Sequence, residues 1–412
     1  MIQELYQDPR RVRHLLSGPL GTHIDAFIAI ERDEGFARLS IRDHLRALGK
    51  LNRWFERRRL SASALTADLI NAFIRERRRR ERPLRDGRDV LRRFLQHLQT
   101  SGVTPPARQK RRLSALERLI EDYGEYLTRQ RGLSHWTVTR YTYLVRPLLK
   151  KRFGSGKIRL GQLRPADVHA WIVDTAQTHG RGRARALVPA LRTFLRWLRA
   201  RGDVRGDLAS AVPSVAAWRL RGVPPILNPS DVERVLRTCD RQTDMGRRDY
   251  AILLLLARLG LRAAEVVSLG LSDLDWREGV LRVRRKGGVI DQLPIPPEVG
   301  NALAAYIKRG RPTCGVRRVF LCTVAPHRGL GHSNVVSSIV AAALKRAGLA
   351  PAMRGAHLLR HTLASSLLRR GATMSDIGQL LGHRSPESTE VYAKVDINGL
   401  RTVAHPWPGG RR

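Results

Sequence analysis

The sequence predicts a mainly α-helical protein with a small β-sheet, in which two tandem helical domains precede an α+β domain. Three observations predict it. Apolar residues return every three or four positions through most of the first half of the chain, the period of an amphipathic helix. Two such stretches, about one hundred residues apart, share apolar, aromatic and glycine positions. One segment, 280–295, alternates with period two around Gly287 and Gly288, as two strands joined by a tight turn do. With 412 residues the chain is long enough for two or three separately packed cores.

Residues 1–107 are expected to form the first domain, in which Ile41, Leu45, Leu48, Leu51 and Phe55 fall on one side of a helix. The second, 113–213, opens on a similar pattern over 119–153. Between the two, Leu91, Phe94, Leu95, Leu98 and Gly102 match Leu191, Phe194, Leu195, Leu198 and Gly202. Leu65, Ala72, Phe73 and Ile74 match Leu163, Ala170, Trp171 and Ile172, and Gly35 and Gly132 each precede a comparable helix. One repeat does not make a solenoid, so two related helical domains are the simpler reading; the alternative is that two amphipathic segments match by pattern alone. Thr104-Pro105-Pro106 and the basic stretch 108–112 divide them. Residues 214–227, with Pro224-Pro225, read as an extended linker. The third domain spans 228–412. Asn228 or Ser230 is expected to cap its first helix, which runs to Cys239. A helical stretch over 249–269 is interrupted near Gly260, and after the strands helices follow at 297–307, 334–347, 357–370, 375–381 and 387–395.

Charge is the unusual feature of the composition. Lys and Arg number 76 against 36 Asp and Glu, a net charge of +40, and of the basic residues nine are lysine and 67 arginine. Coding bias explains arginine in place of lysine but not so large a surplus. Such a field attracts a polyanion, and double-stranded DNA is the expected partner, because neutralising its phosphates releases counterions. A hydrophobic content of 42% is that of a folded protein. Cys239, Cys314 and Cys322 are too few for a disulfide framework and suit a reducing compartment. Cys314 and Cys322 lie near His327 and His332, but the spacings match no tight zinc-ligand pair, so neither metal nor cofactor is expected. The longest apolar run, 251–257, is too short to span a bilayer, and the N-terminus has no signal-peptide core. The expectation is a cytoplasmic, nucleoid-associated protein with no membrane partner.

The third domain carries an ordered set of polar residues in apolar surroundings. Arg262 follows Leu259-Gly260-Leu261, and Lys286 sits at the strand turn. His357 and Arg360, three apart, share a helix face. His383 closes Leu380-Leu381-Gly382-His383, and Tyr392 lies nine residues on. The order Arg, Lys, His-x-x-Arg, His, Tyr resembles the tyrosine recombinase, or phage integrase, family. The strings LGLRAAEVVSL, HLLRHTLASSLLRRG and LLGHRSPESTEVYAKV are each close to that family's conserved boxes. The resemblance covers about 228–395 and reaches into 113–213, which looks like the family's helical core-binding domain. It implies a site-specific DNA recombinase of the integrase or mobile-element transposase type. Such an enzyme breaks and rejoins DNA through a covalent 3′-phosphotyrosine, as a homo-tetramer on two DNA sites. Whether accessory recombinases join that assembly stays open.

The residue types suit this chemistry. A phosphodiester is anionic, and attack piles further charge on its non-bridging oxygens. Arg262 and Arg360 can clamp those oxygens with forked hydrogen bonds while staying charged. His357 and His383 can donate to the same phosphate or move protons. Tyr392 attacks phosphorus; a free phenol has a pKa of about 10, so cations or a base must assist it. The resemblance implies that Lys286 protonates the departing 5′ oxygen. With the arginines supplying positive charge, no metal is required. Each residue also has a plainer reading. Arg262 can pair with Glu265; Lys286 can be one solvated cation beside Arg282, Arg284 and Arg285; His357 and His361 can hold a metal; His383 can merely follow a helix end; Tyr392 can be a core aromatic. A DNA-binding protein that had lost catalysis would lack one of the six types. A topoisomerase would share the chemistry yet act as a monomer, and a metal-dependent nuclease would need a carboxylate cluster. Arg75 and Arg77 to Arg80, in the first domain, suit additional DNA, a neighbouring protomer or an ordinary solvated helix end. The resemblance suggests that the tail docks on a neighbouring subunit, with Trp407 as anchor.

Overall fold

The computed structural model describes residues 9–78, 87–105, 114–154, 156–215, 224–285, 287–383 and 385–395. The chain divides into two compact units, one formed by Met1–Ala107 with Gly222–Arg412 and the other by Arg108–Arg221.

In the first unit, helices Pro9–Leu16, Gly21–Asp33, Arg38–Arg57, Ala67–Arg78 and Gly87–Thr100 enclose a core of their own. Ile24, Ile28, Leu45, Leu48, Phe55, Leu91 and Phe94 are fully buried in it, the side that the helical spacing marks out. Glu31 is buried among them and needs partners to carry its charge there. His44 Nδ1 lies 2.8 Å from one of its oxygens, and the Arg93 guanidinium donates to the other. One turn beyond, the Glu34 carbonyl accepts a 2.9 Å hydrogen bond from the backbone of His327, in the later part of the same unit.

The second unit has helices Ala115–Arg129, His135–Phe153, Pro165–His179 and Arg181–Ala200. Ser114 and Glu117 close a reciprocal capping box at its start. Tyr123, Phe194 and Leu198 are buried at its centre, with Trp197 packed beside them. One of the two sets paired in the repeat shares environment as well as type, whereas in the other Ala72, Phe73 and Ile74 differ in burial from Ala170, Trp171 and Ile172. Leu91, Phe94 and Leu98 are fully buried, as are Leu191, Phe194 and Leu198. Both helices end with a glycine at positive φ, 72° at Gly102 and 79° at Gly202. Each is followed by the same backbone bond, from Val103 to Leu98 at 2.9 Å and from Asp203 to Leu198 at 3.0 Å.

The remainder of the first unit is built on helix α1 (Asp244–Arg258), whose residues 251–256 are fully buried because it is apolar on every side. Helices Pro229–Arg237, Pro297–Arg309, Ser333–Arg346 and α3 (Ala356–Arg369) accompany it, with short helix α2 (Ala263–Ser268) following α1. A three-stranded antiparallel sheet in the order β1 (Leu274–Asp275), β2 (Val280–Arg284), β3 (Ile290–Pro294) follows α2. Leu281 pairs with Leu274 and Leu293, and Leu281 and Val283 are buried while Arg282 and Arg284 alternate outward. The turn after β2 holds Gly287 at φ 89° and Gly288 at φ 85°, and the Arg285 N–H donates to Val289 O at 2.7 Å.

Several expected boundaries shift. Helix α1 starts at Asp244, five residues early, because the Thr243 hydroxyl caps the Gly246 N–H. Asn228 holds the N-cap position of its helix without a side-chain cap bond; Pro229 sets the first turn instead, and the helix ends at Arg237. The helix expected over 387–395 is two 3₁₀ turns, Pro386–Ser388 and Glu390–Val395. Residues 224–227 of the expected linker carry neither helix nor strand. Among the described residues no helix is long and apolar enough to cross a membrane. Lys286, Trp407 and the 79–80 end of the arginine run lie outside the described residues.

Candidate active site

Helix α4 (Met374–Leu381) organises the site. Thr373 and Asp376 close a capping box at its start, and Gly382, at φ 60° and ψ 50°, ends it. The N–H of His383 then turns back to Gly378 O at 2.9 Å. The last carbonyls of a helix have no partner within it and form the negative end of its dipole. Here three guanidiniums take them in succession. Arg285 donates to Leu380 O at 2.9 Å, Arg360 to Leu381 O at 2.6 Å, and Arg262 to Gly382 O at 3.2 Å. Arg360 also donates to the carbonyl of Gly260, the residue at φ 61° where the chain turns between α1 and α2. The expected interruption near Gly260 therefore has a function in the fold: it presents a carbonyl to Arg360.

Glu265 ties this end of the site together from below. It is buried at 4% exposure and accepts from the Arg262 backbone N–H at 2.8 Å, the Arg262 guanidinium at 2.8 Å and the Arg285 guanidinium at 3.0 Å. Arg285 reaches Asp291 as well, at 2.8 Å, which locks the base of the β2–β3 turn. The Arg262–Glu265 pair expected as a plain alternative is thus present. It does not exclude a phosphate-binding role, since the two recorded side-chain bonds of Arg262 leave further N–H donors of the five.

His357, Arg360 and His361 stand on one helix, α3. Arg360 is 3% exposed, whereas His357 is open to solvent. Tyr392, on the last 3₁₀ turn, is 1% exposed and packs against Ala364, Ile377 and Leu381. Its hydroxyl lies 3.0 Å from His361 Nδ1. His383 stacks parallel to the Tyr392 ring, with centroids 6.4 Å apart, and its Nδ1 is 2.8 Å from the Thr389 hydroxyl. The structure therefore brings Arg262, His357, Arg360, His383 and Tyr392 into one region. It also adds residues that sequence reasoning missed: His361, Arg285 and Thr389. His361 had a signal, its i+4 spacing from His357, but that spacing suggested a metal pair rather than a contact with the phenol. Among the described residues no group of three metal-ligating side chains is present.

Clustered cations set the electrostatics. Although His357 reaches solvent, partial desolvation of its ring, then the Arg360 and Arg262 charges, hold its pKa below the ordinary imidazole value; burial, then His357 and Arg360, do the same at His361. His383 is pushed down to about 4 by burial, then by Arg360, Arg262 and Arg285. Arg360 falls to about 10 through burial and the neighbouring Arg262, and remains charged at neutral pH. Burial raises the Tyr392 phenol, and Arg360 and Arg262 pull it back. The arrangement can bind a dianion-like trigonal-bipyramidal phosphorus, because fixed positive charge waits where negative charge develops.

Comparison with known proteins gives concordant matches. Residues 225–398 match the model of the phage integrase family, and residues 120–202 match that of the phage integrase N-terminal SAM-like domain. The chain is similar to a putative integrase/recombinase, y4rA, of Sinorhizobium fredii (strain NBRC 101917 / NGR234), with 40% identity over 393 residues, 95% of each chain. It is 31% identical to the tyrosine recombinase XerD of Mycobacterium tuberculosis over 306 residues, 70% of this chain and 97% of that one. In fold it is similar to the XerH site-specific recombinase bound to palindromic difH substrate, with a TM-score of 0.55, 15% identity and coverage of 75% of this chain and 92% of that one. A lambda integrase dimer bound to a COC′ core site gives a TM-score of 0.53 at 17% identity, covering 71% of this chain and 98% of that one.

Proposed function

Because the chain belongs to the phage integrase family, the tyrosine recombinases, we propose that Tyr392 is the nucleophile with which it cuts and rejoins DNA. The protein is a site-specific DNA recombinase that works through a covalent 3′-phosphotyrosine. In the proposed assignment the Tyr392 oxygen bonds to phosphorus as the bond to the 5′ oxygen breaks. Arg262 and Arg360 hold the non-bridging oxygens, and His357 and His383 donate hydrogen bonds to them. Lys286 protonates the leaving 5′ oxygen. Ligation runs the same steps in reverse with a 5′ hydroxyl from another strand. The phosphotyrosine conserves the bond energy, so rejoining needs no nucleotide cofactor.

One observation carries this reading: Arg262, Arg360 and His383 converge on the end of α4 beside the Tyr392 ring. Residues 113–213 would grip the duplex as the core-binding domain, 1–107 would supply a further DNA or protomer contact, and 228–412 would carry the chemistry. Lambda integrase, a structural neighbour, is solved as a dimer bound to a core site and as a tetramer bound to a Holliday junction. We extend multimeric action on DNA to this chain, with a homo-tetramer on two sites as the working form. An intracellular, nucleoid-associated location follows from a DNA substrate. A transposon integrase among the structural neighbours favours a mobile-element role.

Incubation with DNA flanking its own gene, followed by trapping and sequencing of covalent junctions, identifies the site. On a suicide substrate of that site, Tyr392→Phe is expected to abolish the covalent complex while DNA binding persists, and chelators are expected to leave wild-type cleavage unchanged. Cleavage by the phenylalanine variant would overturn the assignment.

A further inference from the structure

We propose that His361 is a catalytic residue: its Nδ1 orients the Tyr392 hydroxyl and takes its proton as the phenolic oxygen bonds to phosphorus. The inference rests on Tyr392 being the nucleophile. The contact is 3.0 Å between Nδ1 and the hydroxyl, and the ring centroids are 5.6 Å apart at 58°. Among the described residues His361 is the one recorded hydrogen-bond partner of that hydroxyl. Tyr392 is almost fully buried and His361 half-buried, so on this side the proton leaves through a side chain rather than into bulk water.

The surroundings favour an acceptor. His357 and Arg360 face His361 from its own helix, and His383 and Tyr392 face it from the segment packed across. Nearby cationic groups favour the neutral imidazole, the form that accepts a proton. The same field, through Arg360 and Arg262, favours the phenolate that forms. His357, the histidine of the His-x-x-Arg motif, neighbours His361 with ring centroids 6.0 Å apart, and the hydroxyl is bonded to His361 instead. The two histidines therefore divide the work: His361 serves the nucleophile, and His357 is left for the phosphate.

The step balances. The Tyr392 O–H proton passes to His361 Nδ1 and the phenolic oxygen forms the P–O bond. The P–O5′ bond breaks with its electron pair on the 5′ oxygen, which takes a proton from the general acid, Lys286 in the reading above. On ligation the incoming 5′ hydroxyl gives its proton to Lys286 as its oxygen bonds to phosphorus, the P–O(Tyr392) bond breaks with its electron pair on the phenolic oxygen, and His361 returns a proton to the phenol.

The test uses the full chain and a suicide substrate under single-turnover conditions, with DNA affinity as the control for folding. His361→Asn is expected to bind DNA as the wild type does and to cleave about 10²-fold more slowly. The limb of its pH profile that falls toward acid, where His361 becomes protonated, is expected to vanish. Replacing tyrosine by 3-fluorotyrosine, whose phenol is more acidic, is expected to restore much of the rate of His361→Asn and to change the wild type little. A packing role would not respond to phenol acidity. Wild-type or faster cleavage by His361→Asn, an unchanged acid limb, or no response to fluorotyrosine overturns the proposal. Cleavage by Tyr392→Phe in the same assay would instead overturn the assignment on which it rests.

Discussion

Replacing Glu265 with alanine removes the acceptor shared by Arg262 and Arg285, and the structure sets the size of the effect. Three hydrogen bonds are lost, at 2.8, 2.8 and 3.0 Å. The Arg285 side chain is only 5% exposed, so its charge cannot be satisfied by water. Breaking a buried pair by removing one partner costs about 3–5 kcal/mol. Arg285 keeps Asp291 and the Leu380 carbonyl, and Arg262 is 30% exposed, which places the expected loss at the lower end, about 3 kcal/mol. For a domain of this size that corresponds to a fall in Tm of roughly 6–12 °C. Glu265→Gln keeps the shape and one acceptor and should lose about half as much. Denaturant titration followed by circular dichroism, with calorimetry, measures both. The double variant Glu265→Leu/Arg285→Met replaces the pair by apolar groups and should recover most of the stability while cleavage stays impaired, since Arg262 has lost its support. A loss below about 1 kcal/mol for Glu265→Ala would refute the claim that this carboxylate holds the arginines in place.

Three further outcomes are expected. Gly382→Ala forces a residue with Cβ into φ 60°, with that carbon 2.6 Å from Arg285 Nε; it should destabilise by about 1–3 kcal/mol and slow cleavage, read by thermal shift and suicide-substrate assay. Because the folded pKa of His383, about 4, lies below its unfolded value of 6.5, the folded state binds fewer protons between them; stability should fall as pH drops through that window, and DNA phosphate should restore proton uptake, so affinity should strengthen from pH 7 to 5. Affinity independent of pH would contradict this. In the second unit, exposed Trp136 and Tyr143 stand beside Arg140 and Arg183, whose guanidinium carbons lie 5.2 and 5.4 Å from the ring centroids, a basic face suited to a DNA backbone. Arg140→Ala should reduce the slope of log affinity against log salt by about one, while Trp136→Ala should weaken binding with the slope unchanged.

How much was legible in the sequence depended on whether the property was local. The period-two pattern with Gly287-Gly288 located the hairpin, and the three-residue spacing of His357 and Arg360 put both on one helix. Apolar spacing also identified Leu91, Phe94, Leu191 and Phe194 as core residues. What could not be read was side-chain direction at residues whose partners lie far along the chain. Arg285 looked like one more arginine on a strand crowded with them; beyond the strand end it turns inward because Glu265 and Leu380, 20 and 95 residues away, supply acceptors. His361 sits one residue past the motif, and only the folding of the last 3₁₀ turn against α3 brings the phenol to it. That turn was itself read as a helix, since Glu390 to Val395 is too short for its period to distinguish the two.

The three guanidiniums at the end of α4 are held by main-chain oxygens, and a main-chain oxygen does not depend on which side chain its residue bears. Positions 380 and 381 are therefore free to vary for packing without disturbing the anchor points. The site is sensitive to length instead. Inserting or deleting one residue between Thr373 and Gly382 would rotate the three oxygens by about 100° around the helix axis. All three arginines would lose their anchors at once, along with the turn that delivers His383. Within helix α4 itself, the anchor points are thus specified less by which side chains it bears than by how many residues it has.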